Sequence, residues 1–217
     1  MDAVIFDLWD TLVPLPSAVR EEAIAQMSHA LGLSLSAFRA EWSAAWLARA
    51  TGPLEPVVRD ISTRLAGSPP DDDLIEQVLR IRHEVHAAAF VPRVDARETL
   101  AACRQAGVRI GVLTNCSAGT PELWQGSALA ELVDAVAFSV VEHMMKPHPD
   151  FYRLLLRRLD AEPGACLYVG DGSDGELDGA VALGFRAVLY DSGNDSLDAW
   201  TGPRVHSLKD TLPLLHI

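Results

Sequence analysis

Residues 3–12 read AVIFDLWDTL, an apolar run of four residues that stops at an aspartate, Asp7. Four more short apolar runs follow along the chain, at residues 108–113, 135–141, 165–169 and 187–190. Continuous apolar runs of this length are typical of parallel strands that are buried on both faces. Helix-like segments separate the last four runs. This alternation predicts an α/β fold, a doubly wound, Rossmann-like parallel sheet of about five strands.

A long insertion separates the first two predicted strands. About 100 residues lie between them, whereas a crossover between parallel strands needs only about a dozen. Apolar residues recur at helical spacing there, and three glycine-containing breaks divide the stretch into about four helices. We therefore predict a core of residues 1–13 and 91–217 and an inserted α-helical cap of residues 14–90.

The charge balance argues against several classes of partner. The chain has 30 acidic and 18 basic residues, for a formal net charge of -12. It has no diffuse positive field, so we expect binding to neither nucleic acid nor a membrane surface. Its 3 cysteines form no CxxC pair, which indicates neither a disulfide framework nor a zinc site. The N-terminal segment has no basic region and no long apolar stretch, so we expect a cytoplasmic protein.

Residues that carry chemistry follow four of the predicted strands. Asp7 ends the first strand and Thr114-Asn115 end the second, while Lys146 follows the third and Asp171 ends the fourth. The carboxyl ends of parallel strands meet at one edge of a sheet, where ligands bind. A carboxylate nucleophile, a hydroxyl, a cation and a second acid are the groups that aspartyl-phosphate chemistry requires.

These four motifs, in this order, resemble those of the haloacid dehalogenase superfamily of hydrolases. The resemblance covers nearly the whole chain, and the insertion lies where that family carries its cap. It implies that Asp7 is the nucleophile, that Thr114 and Asn115 offer hydrogen-bond donors to phosphoryl oxygens, and that Lys146 neutralises Asp7 and the bound phosphate. Composition supports the last assignment, because Lys209 is the only other lysine in the sequence.

The resemblance also implies a magnesium ion. Magnesium favours a few carboxylates together with several water molecules. Asp7 and Asp171 are the predicted direct ligands, and the backbone carbonyl of Trp9 is the predicted third. By its position in the fourth motif, Glu176 is the second acid at the metal site and would hold metal-bound water. Asp174 is the alternative.

Trp9 departs from the family's phosphatase pattern. A second aspartate two residues after the nucleophile usually serves there as general acid and base, and this chain has Trp9 instead. Asp10 is a candidate replacement, and an acid that caps the turn is the alternative interpretation. A bulky aromatic residue at this position is also how the family's metal-free dehalogenases look.

The cap is expected to select the substrate. It contains seven arginines and no lysine. Arg49 is the best candidate for a cation that faces the substrate, with an exposed helix arginine as the alternative. Trp42 and Trp46, four residues apart, are interpreted as packing residues. His83 and His86 lie three residues apart on one predicted helix and are interpreted as surface residues.

Together these features predict a magnesium-dependent phosphatase that hydrolyses a small phosphorylated metabolite through an aspartyl-phosphate at Asp7. The Gly-Asp pair at 170–171 favours this prediction over a metal-independent 2-haloacid dehalogenase. The third alternative is a pseudo-enzyme that binds phosphorylated ligands without hydrolysis. Trp9 supports that alternative, whereas it is opposed by the four intact motif residues, Asp7, Thr114, Lys146 and Asp171.

Overall fold

A computed structural model describes residues 1–192 and 200–216. The strands are β1 (Ala3–Phe6), β2 (Arg109–Thr114), β3 (Ala135–Phe138), β4 (Cys166–Gly170), β5 (Arg186–Tyr190) and β6 (Arg204–Val205). They form one parallel sheet in the order β3-β2-β1-β4-β5-β6. The α/β class and the parallel sheet are confirmed, with six strands in the described part of the chain rather than about five.

The strand order reverses at the middle of the sheet. The chain runs from β1 outward to β3 on one side, then returns to place β4 against the free edge of β1. The Asp7 N–H donates to the Val169 carbonyl oxygen at 2.9 Å and extends this pairing. Such a reversal leaves a crevice outside the carboxyl ends of the two strands, which is where open α/β sheets bind ligands.

Five helices lie between β1 and β2: α1 (Ser17–Ala30), α2 (Leu35–Ala44), α3 (Trp46–Thr51), α4 (Leu54–Ala66) and α5 (Asp72–Ala89). We call them the helical insertion. The sequence predicted about four helices because no glycine or proline marks the break at Ala45. Across that break, Arg49 Nε donates to the Trp42 carbonyl oxygen at 3.1 Å. The insertion has an apolar cluster of its own, which includes the fully buried Phe38 and Ile61.

The remaining α-helices of the described residues are α6 (Ala96–Gln105), α7 (Thr120–Gln125), α8 (Ser139–Glu142), α9 (Pro149–Leu159), α10 (Glu176–Ala182) and α11 (Leu212–Leu215). Side chains of β1 alternate between the two faces of the sheet, as strand geometry requires. Val4 and Phe6 pack in one apolar cluster with α6, whereas Ala3 and Ile5 pack in the other with α9 and α10. Helices on both faces make the sheet doubly wound. Within the described residues, no helix combines the length and apolar character needed to span a bilayer.

Two strand predictions differ from the structure. The apolar run of residues 135–141 continues past β3, but the backbone turns into α8 at Ser139. The Ser139 hydroxyl accepts from the Cys116 N–H at 2.9 Å and donates to the Cys116 carbonyl at 3.1 Å, which anchors this turn. The sixth strand was missed because β6 has only 2 residues, too few to give an apolar period.

Candidate active site

The carboxyl edge of the sheet brings most of the predicted motif residues together. Asp7 directly follows β1, and Asp171 directly follows β4. Lys146 reaches the same place from the loop between α8 and α9, with its Nζ 2.5 Å from Asp7 Oδ1. These three residues line a cavity of about 630 Å³, which also includes Trp9 and Asn115. Ligand pockets commonly have volumes of about 300–1,000 Å³.

Lys146 is buried between two carboxylates. Its side chain is 3% exposed, and Nζ lies 2.5 Å from both Asp7 Oδ1 and Glu176 Oε2. Nζ also lies 3.2 Å from the Tyr168 hydroxyl oxygen. Burial by itself lowers the pKa of a lysine, but here Asp7 and Glu176 outweigh it and raise the pKa of Lys146. Lys146 is therefore a fixed positive charge beside Asp7.

Glu176 has both carboxylate oxygens engaged by protein donors. Oε2 accepts from Lys146 and from the Tyr168 hydroxyl at 2.6 Å, and Oε1 accepts from the Gly172 N–H at 2.8 Å. A Cβ at Gly170 would overlap this carboxylate, which explains why a glycine precedes Asp171. Glu176 thus helps to hold Lys146 in position beside Asp7.

Asp7, Asp171 and Glu176 form a cluster whose donor chemistry suits a divalent cation. One oxygen from each carboxylate lies within 4.8 Å of the others. Burial, and secondly the charge of Glu176, raise the pKa of Asp171 to about 6. Burial also raises the pKa of Asp7, against the opposing charge of Lys146. Three clustered carboxylates that share a single lysine fit a hard cation such as magnesium.

The three acids do not offer their oxygens equally. Among the hydrogen bonds of the described residues, those to Asp7 and Asp171 go to Oδ1 alone, which leaves Oδ2 of each available. Glu176 has no such oxygen. The geometry therefore favours Asp7 and Asp171 as direct ligands, with Glu176 behind them. Trp9 lines the same cavity, and the metal role of its backbone carbonyl stays a prediction.

The end of β2 organises the loop that carries Lys146. Asn115 Oδ1 accepts from the Lys146 N–H at 2.8 Å, and Asn115 Nδ2 donates to the Lys146 carbonyl at 3.1 Å and to Asp174 Oδ2 at 2.8 Å. This amide fixes the loop and engages Asp174, the alternative second acid. Thr114 is fully buried, with its hydroxyl 3.5 Å from the Asn115 carbonyl oxygen. Contact of Thr114 and Asn115 with substrate remains a prediction.

Asp10 is tied into the turn after β1. Its carboxylate accepts from the Leu15 N–H at 2.8 Å and forms an ion pair with Arg20. Asp10 itself adopts a left-handed backbone conformation, with φ of 63°. Beside it, the Trp9 ring packs edge-on against Phe90 at a centroid distance of 5.3 Å. These contacts favour the turn-capping interpretation of Asp10 over a role in proton transfer.

Arg49 lies in the cavity wall rather than in solvent. Its relative exposure is 9%, and its guanidinium stands 4.3 Å from the Trp42 ring centroid and 5.2 Å from that of Trp46. Trp42 packs within the insertion's apolar cluster, in agreement with its predicted packing role. The same indole also lines the cavity and supports the guanidinium.

Arg82 and His86 are two polar residues of this cavity that the sequence reasoning missed. Both are buried, whereas His83 is exposed, so the surface interpretation was correct for His83 and wrong for His86. His86 Nδ1 lies 2.9 Å from the Arg82 carbonyl oxygen. The available signal was their spacing, because Val78, Arg82 and His86 follow one another at four-residue steps on the buried face of α5.

The burial of His86 predicts a specific sensitivity to acid. Burial, and secondly the charge of Arg82, lower the pKa of His86 from 6.5 to about 4. The unfolded chain therefore binds a proton near pH 6.5 that the folded chain does not bind until about pH 4. The contribution of neutral His86 to the free energy of unfolding is therefore fully present above pH 6.5 and is lost as the pH falls from 6.5 to about 4.

We expect wild type to lose about 2 kcal/mol more stability than His86→Gln between about pH 7.5 and 4.5. Urea unfolding at the two pH values measures this difference. His83→Gln, on the exposed face of the same helix, should behave as wild type. An equal loss of stability for wild type and His86→Gln would contradict the prediction.

The chain belongs to the haloacid dehalogenase-like hydrolase family, whose model matches residues 1–184. Among curated relatives, it is 29% identical over 209 residues to phosphatase MT3486 of Mycobacterium tuberculosis, with 91% of each chain covered. It is 28% identical over 193 residues to glyceraldehyde 3-phosphate phosphatase of Methanopyrus kandleri, covering 86% of this chain and 82% of that protein.

Solved structures share the fold over nearly the full length. The haloacid dehalogenase-like phosphatase from Thermococcus onnurineus has a TM-score of 0.72 and 22% identity, with 99% of this chain and 98% of that chain covered. The 2-haloacid dehalogenase from Pseudomonas syringae pv. Tomato DC3000 has a TM-score of 0.74 and 22% identity, with coverage of 100% and 98%. At this identity, the two structures establish the fold and do not choose between the two activities.

Proposed function

We propose that this hydrolase is a magnesium-dependent phosphatase that acts on a small phosphorylated metabolite through an aspartyl-phosphate at Asp7. The observation that carries the proposal is the position of Asp7. Its carboxylate is buried at the reversal of strand order, 2.5 Å from Lys146, and shares a cavity with Asp171. The phosphatase names of two relatives that match most of the chain support the same activity.

In the first step, Asp7 attacks the phosphorus of the monoester. One oxygen of the Asp7 carboxylate attacks, and the other would stay with the metal ion, while Lys146 lies beside the carboxylate at 2.5 Å. A bond forms between the attacking oxygen and phosphorus, and the bond from phosphorus to the leaving oxygen breaks with its electron pair. In the second step, a water molecule attacks the same phosphorus and the bond from phosphorus to the Asp7 oxygen breaks, which regenerates the carboxylate. The elements of water are divided between the products: the oxygen and one proton leave with inorganic phosphate, and the other proton passes through solvent to the leaving oxygen.

Lys146 and the magnesium ion would balance charge during both steps. Phosphoryl transfer places negative charge on the phosphoryl oxygens, and catalysis consists mainly of positioning and neutralising that charge. Asp7 and Asp171 would hold the ion, which supplies a divalent positive charge at the phosphoryl oxygens when it is bound. Lys146, fixed by Glu176 and by the Asn115 amide, supplies the second positive charge.

We propose that residues 14–90 act as the cap and that residues 1–13 and 91–217 form the catalytic core. The cavity is lined from both sides, by Asp7 and Asp171 of the core and by Trp42 and Arg82 of the helical insertion. Residues of the insertion would then contact the leaving group and exclude water from the phosphoryl group. This arrangement supports substrate selection by the cap.

Trp9 predicts a strong dependence on the leaving group. An alkoxide needs a proton as it departs, whereas an aryl oxide is acidic enough to depart without one. We expect wild type to hydrolyse aryl phosphates at least about tenfold faster than alkyl phosphates. Trp9→Asp should raise the rate on alkyl phosphates by about tenfold or more, with little gain on aryl phosphates.

Steady-state kinetics on a matched aryl and alkyl pair measure this effect. Trp9→Phe is the control, because it also removes the indole but adds no acid. An equal increase in the rate on alkyl phosphates in Trp9→Asp and Trp9→Phe would show that cavity size, rather than the missing acid, limits that rate. Equal wild-type rates on the two esters would contradict the prediction directly.

A metal-independent 2-haloacid dehalogenase is the second candidate, and Trp9 is the observation that favours it. The assay that separates the two supplies 4-nitrophenyl phosphate or 2-chloropropionate, each with magnesium and with a chelator. The phosphatase proposal predicts phosphate release that needs magnesium, and no chloride. Chloride release in the presence of chelator would overturn it. If neither phosphate nor chloride is released, and calorimetry detects phosphate binding, a non-hydrolytic binder is favoured.

A further inference from the structure

Two arginines of the helical insertion are buried in the cavity wall, and neither has an acidic partner among the described residues. Arg49 and Arg82 have relative exposures of 9% and 8% and both line the cavity that contains Asp7. Among residues 1–192 and 200–216, neither guanidinium lies within 4.0 Å of a carboxylate oxygen. Burying an unpaired charge is costly, so a buried arginine is usually paired with a negatively charged group.

The contacts of Arg49 leave one edge of its guanidinium available. Nε donates to the Trp42 carbonyl oxygen at 3.1 Å, and the Trp42 ring covers one face at 4.3 Å. Within the described residues, Nη1 and Nη2 have no hydrogen-bond acceptor. An edge with two parallel N–H groups matches a carboxylate or a phosphoryl group in a bidentate manner.

Arg82 is anchored to the core beside the motif after β2. Its Nη2 donates to the Ser117 hydroxyl, and its Nη1 lies 3.3 Å from the Ala118 carbonyl oxygen. Both acceptors are neutral, so the positive charge of Arg82 remains uncompensated. The guanidinium also lies 6.0 Å from the centroid of Trp42, the ring that supports Arg49. The two cations therefore share one aromatic platform.

The acidic residues that line this cavity are engaged elsewhere. Asp10 pairs with Arg20, and Glu21 pairs with Arg39 at 2.5 Å. Asp174 accepts from the Asn115 amide. Asp7 and Asp171 belong to the phosphoryl site. Burial lowers the pKa of Arg49 and of Arg82 to about 10, so both stay charged at neutral pH. The counter-charge that these arginines lack is not supplied by the cavity's own acids.

We propose that Arg49 and Arg82 form a second anion site, which binds a carboxylate or a second phosphoryl group of the substrate. The inference rests on the proposed function and defines its substrate class: small organic phosphates that carry another anionic group. The transferred phosphoryl group would lie at Asp7 and Lys146 in the core, and the second anion at the two arginines of the insertion.

Calorimetric binding of three non-hydrolysable phosphonates tests the site. Propylphosphonate carries one anionic group, 3-phosphonopropionate adds a carboxylate, and propane-1,3-bisphosphonate adds a second phosphonate. We expect at least one of the last two to bind about tenfold or more tightly than propylphosphonate. Which of them binds more tightly tells whether the site prefers a carboxylate or a phosphoryl group.

Substitution of each arginine identifies the residues responsible. Arg49→Gln and Arg82→Gln should each remove most of the preference for the doubly anionic ligand. Arg80→Gln, an exposed arginine on α5, is the matched control and should keep it. Arg49→Lys and Arg82→Lys preserve the charge and are used if a glutamine variant does not fold. The lysine variants should retain part of the preference, because the charge remains but the planar fork is lost.

Equal affinity of wild type for all three ligands, or absence of binding by both doubly anionic ligands, would overturn the proposal. So would an unchanged preference in the arginine variants. The readout does not depend on turnover. A protein that keeps the preference but releases no phosphate from an aryl ester would therefore reject the proposed phosphatase and retain the anion site.

Discussion

Asp7→Asn is expected to reduce magnesium-dependent phosphate release by about a thousandfold or more. The amide is nearly the same size as the carboxylate, but it lacks the nucleophilic oxygen that forms the bond to phosphorus. It also removes one of the two carboxylates that would bind magnesium. Release of phosphate from an aryl ester, measured at saturating magnesium, gives the ratio of the two rates.

Asp178→Asn is the matched control for this substitution. Asp178 lies exposed on α10, two residues from Glu176, and does not line the cavity. Its substitution removes the same charge as Asp7→Asn. Its activity should stay within about twofold of wild type, as is usual for surface substitutions. Residual activity of Asp7→Asn above about a tenth of wild type would mean that Asp7 is not the nucleophile.

Lys146→Met is expected to lower the free energy of unfolding by about 3 kcal/mol or more. The substitution leaves the buried carboxylates of Asp7 and Glu176 without their shared cation. The cost of stranding buried charges exceeds what the pair contributes while it is intact. Phosphate release should fall as well, because the cation beside the phosphoryl group is lost. Urea unfolding measures the first effect.

The sequence provides a close control, since Lys209 is its only other lysine. Lys209 pairs with Glu98 at the surface, and both side chains are more than half exposed. Lys209→Met should leave the free energy of unfolding close to that of wild type, because exposed ion pairs contribute little. Adding Glu176→Gln to Lys146→Met should recover part of the stability, because one stranded charge disappears. Equal losses for the two lysine substitutions would contradict this view of Lys146.

Most of the fold could be predicted because short stretches of sequence specify its strands. Strands buried on both faces appear as short apolar runs, and four of the five predicted runs match a strand to within a residue or two at each end. The exceptions depend on tertiary contacts. Val140 and Val141 continue the apolar run of β3, yet the bonds between Ser139 and Cys116 turn the backbone there. The break at Ala45 likewise carries no local signal.

The candidate site, like the fold, could be predicted only where local sequence signals specify it. Residues at strand ends, such as Asp7 and Asp171, could be expected to meet because parallel strands share one carboxyl edge. The engagement of Glu176 by Lys146 and Tyr168 could not, since it depends on how α10 packs against β4. For Arg82 only the four-residue spacing from Val78 and His86 gave a signal, because its burial follows from the packing of the insertion over the loop after β2.

The most direct test of the central claim is the detection of a phosphoryl group on Asp7. Wild type is mixed with an aryl phosphate and magnesium, quenched in acid and digested with pepsin, and the peptide that contains Asp7 is measured by mass spectrometry. The account predicts that this peptide gains the mass of one phosphoryl group, localised to Asp7 by fragmentation, and that Asp7→Asn gains none. Phosphate release without an adduct on Asp7, or an adduct on another residue, would contradict it.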